Sequence, residues 1–220
     1  MFDGKFRQTA DALTAPVGRA LVRVGFSADV LTASGLVFAC ATAWGIAEGH
    51  FVLAIGLLIV TGLHDLLDGA VAKASKRASQ RGSFFDSVVD RVSDAVLLGG
   101  VAFYLERHHP GDLVLLPFAL VTTFFMISYQ RSKAESLGLD AKGGLMERAE
   151  RLVLLGVALL SPAIFVPVLW VMLCLTTATA LGRFWRVWQI AARPAPRTVI
   201  ERRSRAHPRR PRRLSRSSRH

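Results

Sequence analysis

Six apolar stretches recur along the chain, at residues 30–48, 51–71, 88–104, 113–130, 152–160 and 165–181, with polar connections between them. Blocks near 20 residues cross a bilayer as helices rising 1.5 Å per residue. The pattern predicts an all-α, polytopic membrane protein with six transmembrane helices spread over residues 26–192. The fifth stretch is the shortest and is interrupted at Ser161-Pro162. Ahead of the first, Phe6, Leu13, Val17, Ala20, Leu21 and Val24 recur at helical spacing, with Lys5, Arg7, Arg19 and Arg23 among them. That predicts an interfacial amphipathic helix over residues 1–25. Residues 1–24 mix polar and apolar side chains and do not read as a secretory signal. No internal repeat is visible.

Composition agrees: 51% of the 220 residues are hydrophobic, more than an average soluble domain carries. Of the 28 Lys and Arg residues, only Arg107 falls near an outer connection in the six-span arrangement. Basic residues collect on the cytoplasmic side of membrane proteins, which predicts cytoplasmic termini and a multi-pass protein of the inner (plasma) membrane. The outer links are then short, at residues 49–50, 106–112 and 161–163, so the chemistry belongs on the cytoplasmic side. Residues 193–220 hold 11 Arg and one Glu, most of the net charge of +12. Such a segment buries no core and reads as a disordered tail beside anionic headgroups. No aromatic residue interleaves with its arginines, which argues against nucleic acid as a partner. Cys40 and Cys174 fall inside apolar stretches and read as small fillers, not as a disulfide or a metal site. Trp44, Trp170, Trp185 and Trp188 read as interface anchors or packing residues.

The chemistry is concentrated between the second and third stretches. Asp65 and Asp68 are three apart, Asp86 and Asp90 four apart, and Asp94 continues the second pair by one turn, so each set shares a helix face. A carboxylate inside a bilayer costs about 2.5–3.5 kcal/mol on insertion scales, so such a group needs a partner. One or two divalent cations would resolve the repulsion, and oxygen-only ligands favour Mg²⁺, Mn²⁺ or Ca²⁺. Paired ions suit phosphate-bearing substrates. Gly69 and Gly82 flank the acids, and glycine in a helix costs about 1 kcal/mol against alanine, so a close approach of ligand to backbone is the expected reason. Lys73, Lys76, Arg77 and Arg81 make the intervening loop a candidate diphosphate cradle. An interfacial salt-bridge cluster would account for any one of these aspartates, but not for the whole spacing. His64 reads as a polar helix residue or a partner of Asp65, and Asp94 as a support that bonds Arg91 or a basic loop residue.

The spacing D-x2-D-G-x2-A-x9-G-x3-D-x3-D, carried by Asp65, Asp68, Gly69, Ala72, Gly82, Asp86 and Asp90, resembles the signature of the CDP-alcohol phosphotransferases. Lys73 stands where that family usually has Arg, and Ala28 where it usually has Pro. The resemblance implies transfer of the phosphoryl-bearing group of a CDP-linked lipid to an acceptor hydroxyl, with release of CMP. It implies two Mg²⁺ ions, or Mn²⁺, on Asp65, Asp68, Asp86 and Asp90. Asp90 would also serve as catalytic base. It implies CDP-lipid contacts at Asp29, Val30, Leu31, Thr32, Gly69, Lys73, Ser79 and Gly82. Homodimers are common in the family. Aspartate-rich membrane prenyltransferases also bind diphosphate through Mg²⁺, but those chains are longer and lack this glycine spacing. A transporter or scaffold would need an ion path further out in the membrane.

A second polar cluster bears on the acceptor. Arg131 and Lys133 close the fourth stretch, Arg148 and Arg151 open the fifth, and Arg183 and Arg186 follow the sixth. Cations at cytoplasmic helix ends are ordinary, and Lys133, Lys142, Arg148 and Arg186 read that way. The phrases Ser128-Tyr129-x-Arg131, Glu147-Arg148-Ala149-Glu150-Arg151 and Arg91-Val92-Ser93-Asp94 resemble the actinobacterial phosphatidylinositol phosphate synthases, with Arg131 in place of a usual Lys and Ala149 of a usual Pro. That resemblance implies CDP-diacylglycerol as donor and inositol 1-phosphate as acceptor, its phosphate held by Ser128, Arg131, Arg151 and Arg183. Glycerol 3-phosphate, giving phosphatidylglycerol phosphate, is the alternative that charge alone does not exclude.

Overall fold

The computed structural model describes residues 5–75, 79–141 and 143–192, with side chains from Leu13 onward. Within them the chain forms seven α-helices and no strand: α1 Lys5–Val24, α2 Ala28–Ala47, α3 Phe51–Ala74, α4 Gln80–His108, α5 Leu115–Ser136, α6 Arg148–Ala158 and α7 Pro162–Ala191, with one 3-10 turn at Asp112–Val114. Four of the apolar stretches become helices long and apolar enough to cross a membrane, namely α2, α3, α5 with its preceding turn, and α7. The other two differ for separate reasons. The first half of α4 is polar, carrying Arg81, Asp86, Asp90, Arg91 and Asp94. The 11-residue α6 is only about 16 Å long.

Several boundaries shift from the expected ones. α4 runs through Glu106 to His108, inside the expected outer link. Pro162 starts α7 instead of breaking it, because a proline at the first helical position has no amide hydrogen bond to lose. α6 begins at Arg148, not at Leu152, since its polar first turn is folded inward. The arginine-rich tail, Lys76, Arg77 and Lys142 lie outside the described residues.

Helix ends are set by local chemistry. Ser79 caps α4 by accepting the Gly82 amide at 2.9 Å, and Ser27 caps α2 by accepting that of Val30 at 3.3 Å. Gly49 (φ 75°) closes α2, with Gly49 N donating to Ile46 O and His50 N donating to Gly45 O. Gly138 (φ 72°) closes α5 in the same way, through its own amide and that of Leu139. Both are left-handed positions that glycine takes without a Cβ penalty.

α2 packs along both α3 and α4, α5 along α7, and the two groups meet through α4 with α5 and α3 with α6. Small residues bring backbones together, as expected where lipid supplies no hydrophobic drive. A Cβ on Gly35 would lie 3.2 Å from that of His64, and one on Gly100 would run into the backbone of Ala43. At the end away from the aspartates, Phe51, Tyr104 and Phe165 pack with ring centroids 4.9–5.1 Å apart. α1 lies against α3: a Cβ on Gly18 would sit 2.8 Å from the backbone of Ala70. Leu13, Val17 and Val24 of the expected apolar face remain exposed, so the face that meets protein is a different one, centred on Gly18. Cys40 and Cys174 are free and exposed, on outer helix faces and not filling the packed interior. The four tryptophans are exposed as well, with Trp188 stacked on Phe184 and Trp44 edge-on to His50.

Gly100→Val is expected to destabilise the detergent-purified protein by about 1–3 kcal/mol through overpacking against α2. Gly99→Ala, which meets nothing within 4 Å, is expected to leave the melting temperature unchanged or higher. Thermal unfolding of the two variants checks this.

Candidate active site

Asp65 and Asp68 lie in the last three turns of α3, and Asp86, Asp90 and Asp94 descend the first half of α4. α3 and α4 both pack on α2, which lies between them, and Arg148 of α6 reaches acids on both helices. Thr32 of α2 donates through Oγ1 to Asp68 Oδ2 at 2.9 Å, and Asp68 is buried. The charges of Asp65, Asp68 and Asp86 act on one another, and that of Asp94 reaches Asp65. The expected convergence of acids from α3 and α4 is therefore present.

What holds the acids together is a cation from another helix. Arg148, the first residue of α6, places Nη2 3.2 Å from Asp65 Oδ2, pairs through Nη1 with Asp90 Oδ1, and sets Nε 3.8 Å from Asp94 Oδ1. Arg91 adds Nη1 at 3.1 Å from Asp90 Oδ2. Among the described residues no three His, Cys, Asp or Glu side chains close into a ready-made metal cage. The donor set nevertheless fits a hard divalent cation. It offers carboxylate oxygens only, from two helices, and the position between Asp65 and Asp90 already takes a positive charge.

The residues expected to contact a CDP-lipid fall on one side of this cluster. Asp29 Oδ1 and Ser79 Oγ would lie 3.5 and 3.2 Å from a Cβ on Gly82, so the starts of α2 and α4 adjoin. Gly69 is exposed and faces open space, where a ligand can reach the α3 backbone. Val30 and Lys73 are exposed at the same end, whereas Leu31 is buried and Thr32 is turned toward Asp68. His64 Nδ1 donates within its own helix to Val60 O at 2.8 Å, with its ring against Phe38.

On the other side lie the arginines. Arg131 Nε is 3.0 Å from Glu135 Oε1, and its Nη1 is 3.8 Å from Glu147 Oε1. Arg183 Nη2 is 3.6 Å from the same Glu147 oxygen. Arg183 also donates through Nη1 to Ile127 O at 2.8 Å and through Nη2 to Gly143 O at 3.1 Å, tying α7 to α5 and to the loop before α6. Ser128 is half-buried on α5 beside them. Arg151 stands apart. It is buried, donates to Asp94 Oδ2 at 3.2 Å and lies 4.3 Å over the Phe124 ring. The hydrogen-bonded partner of Asp94 is thus Arg151, not Arg91. The guanidinium Nε atoms of Arg148, Arg151 and Arg183 are all buried without a hydrogen-bond partner.

Sequence reasoning missed Arg148, which it read as an ordinary helix-end cation. Charge count gave no signal, since the five aspartates between residues 65 and 94 are matched in number by Lys73, Lys76, Arg77, Arg81 and Arg91.

A family model described as CDP-alcohol phosphatidyltransferase matches residues 26–182, from just before α2 into α7. The chain belongs to this family. It is an enzyme of the CDP-alcohol phosphatidyltransferase class. The archaetidylinositol phosphate synthase of Methanothermobacter thermautotrophicus is 34% identical over 174 residues, covering 76% of this chain and 86% of that protein. The phosphatidylinositol phosphate synthase of Mycobacterium tuberculosis is 31% identical over 186 residues, covering 80% and 86%. The crystal structure of the latter with CDP-DAG bound superposes with a TM-score of 0.70 at 28% identity, over 80% of this chain and 94% of that one. Its complex with manganese and citrate gives 0.69 at 29% identity, over 80% and 88%.

Within this transferase, Arg151→Met leaves buried Asp94 with only the longer Arg148 contact at 3.8 Å, and a loss of about 3 kcal/mol is expected. Arg131→Met breaks only partly exposed pairs and should cost no more than about 1 kcal/mol. Chemical denaturation in detergent compares them. Equal losses would show that the Asp94–Arg151 pair is not a structural support.

Proposed function

We propose that the chain is a membrane phospholipid synthase that transfers the phosphatidyl group of CDP-diacylglycerol to inositol 1-phosphate, forming phosphatidylinositol phosphate and releasing CMP. The observation that carries this reading is the start of α6, where Glu147 faces an arginine pair and Arg148 faces the carboxylates, so that an anion site and a cation site adjoin. Membership of the family supplies the CDP-linked donor. The names of relatives that act on inositol phosphate lipids favour that acceptor over glycerol 3-phosphate.

In this reading Asp65, Asp68, Asp86 and Asp90 hold two divalent ions, Mg²⁺ or Mn²⁺. A manganese complex of a relative supports divalent binding in the family. When bound, the ions supply positive charge at the diphosphate and at the departing CMP. Asp29, Val30, Leu31, Thr32, Gly69, Lys73, Ser79 and Gly82 hold the cytidine diphosphate end, with Gly69 leaving the backbone open to it. Ser128, Arg131, Arg151 and Arg183 orient the acceptor phosphate. Asp90 takes the proton of an inositol hydroxyl as its oxygen bonds to the phosphatidyl phosphorus. The bond from that phosphorus to the bridging oxygen breaks, and CMP leaves with the electron pair. Arg91 and Arg148 fix the Asp90 carboxylate in place before substrates arrive.

The same reading has all six helices α2–α7 crossing or entering the bilayer and α1 lying at its surface through Leu13, Val17 and Val24. The aspartate end faces the cytoplasm. Paired or ion-bound acids at the inner edge of the membrane need no passage through its centre.

CMP release from CDP-diacylglycerol is expected with inositol 1-phosphate, and neither with glycerol 3-phosphate nor with unphosphorylated inositol. Release with glycerol 3-phosphate alone would move the assignment to phosphatidylglycerol phosphate synthesis. Asp90→Asn is expected to lower turnover by at least about a hundredfold while the melting temperature stays within a few degrees. Near-normal CMP release would reject Asp90 as the base.

A further inference from the structure

Glu147 and Arg148 are consecutive, and each is held by groups that the proposed reaction reserves for something else. Glu147 precedes α6 in extended conformation (φ −81°, ψ 179°) and makes no side-chain cap with the helix. An acid at that position would ordinarily serve the α6 amides. Its Oε1 instead reaches the arginine pair, at 3.8 Å from Arg131 Nη1 and 3.6 Å from Arg183 Nη2. Arg148 turns the other way and meets Asp65, Asp90 and Asp94.

A carboxylate between two guanidinium groups offers the charge and acceptor oxygens that a phosphate would offer. A guanidinium among carboxylates offers the positive charge that a divalent ion would offer. The geometry points to an internal two-headed plug, in which Glu147 stands in for the acceptor's phosphate and Arg148 for the metal, so that filling either site frees the other from its plug and tightens binding there. This inference rests on the proposed acid-bound metal and arginine-bound phosphate.

The plug follows a segment with two left-handed glycine positions. Residues 137–147 carry Gly138 and Gly143, both at positive φ. Gly144 lets Arg183 pass, since a Cβ there would lie 3.1 Å from Arg183 Nη2. Neither head fills its place well. Both Glu147 contacts exceed hydrogen-bond length, and Arg148 Nε is buried without a partner. A stronger ligand can therefore displace each. Because the heads are adjacent in sequence, withdrawal of one side chain by backbone movement carries the other with it. Coupling of this kind is reciprocal: the factor by which phosphate tightens metal binding equals the factor by which metal tightens phosphate binding.

The test measures Mn²⁺ affinity of the full-length protein in detergent by electron paramagnetic resonance, with and without inorganic phosphate, which represents the anion shared by both candidate acceptors. The wild type is expected to bind Mn²⁺ about tenfold more tightly with saturating phosphate. R148Q is expected to bind Mn²⁺ about tenfold more tightly without phosphate, and phosphate should then change that affinity less than about twofold. E147Q should lose the phosphate effect in the same way. The melting temperature adds a second readout: R148Q should gain more from Mn²⁺ than the wild type does. If R148Q does not fold, R148K, which retains charge but has a single point donor, should fall between R148Q's expected Mn²⁺ affinity and that of the wild type. Unchanged Mn²⁺ affinity in R148Q or R148K, or a phosphate effect that persists in both R148Q and E147Q, overturns the plug. A wild type that binds no Mn²⁺ at all overturns the metal assignment beneath it.

Discussion

Carboxylates gathered in a helical membrane protein must be neutralised, and this requirement organises the molecule around one spot. Asp65, Asp68, Asp86, Asp90 and Asp94 come from α3 and α4, where Arg91 pairs with Asp90. The balance comes from α6, through Arg148 to Asp65 and Asp90 and through Arg151 to Asp94. The contact of α3 with α6 is thin compared with that of α2 with its neighbours, so these ion pairs are a main link between the two helix groups near the site. An 11-residue helix with a charged first turn makes little sense as a membrane element by itself. It makes sense as the carrier of those two guanidinium groups.

The buried pairs also separate stability from chemistry. Asp94 and Arg151 are both about 5% exposed at the side chain and hold each other, and Arg151 lies over Phe124. That pair fixes where α6 meets α4. Asp90 and Arg148 are more open, at 19% and 16%, and face the acids expected to bind metal. The Asp94–Arg151 pair therefore sits one turn deeper than the Asp90–Arg148 pair. Arg183 spans both groups, since its carbonyl bonds staple α7 while one edge faces Glu147.

Much of the fold was legible because hydropathy and helical periodicity are local properties. The apolar blocks became helices at nearly the expected places, and the D-x2-D-G spacing found its register on α3 and α4. The misreadings share a cause, since each required knowing which side chain meets which across the bundle. Asp94 was expected to bond Arg91 or a basic loop residue, but Arg151 reaches it from α6. Arg148 looked like one more cation at a helix end. On α1 the periodicity marked the apolar face of Leu13, Val17 and Val24, and the close approach of Gly18 to α3, which no hydropathy scale emphasises, was not visible beside it. The hydrogen bond from Thr32 to Asp68 was likewise out of reach, because it joins α2 to α3.

The central claim is that the aspartates of α3 and α4 act as one divalent-cation site. Anomalous scattering from crystals soaked in Mn²⁺ tests it most directly. The account predicts a peak contacted by side chains from both helices, including Asp65 or Asp68 together with Asp86 or Asp90. A structure at comparable resolution with no such peak, or with manganese bound by only one of the two helices, would contradict it.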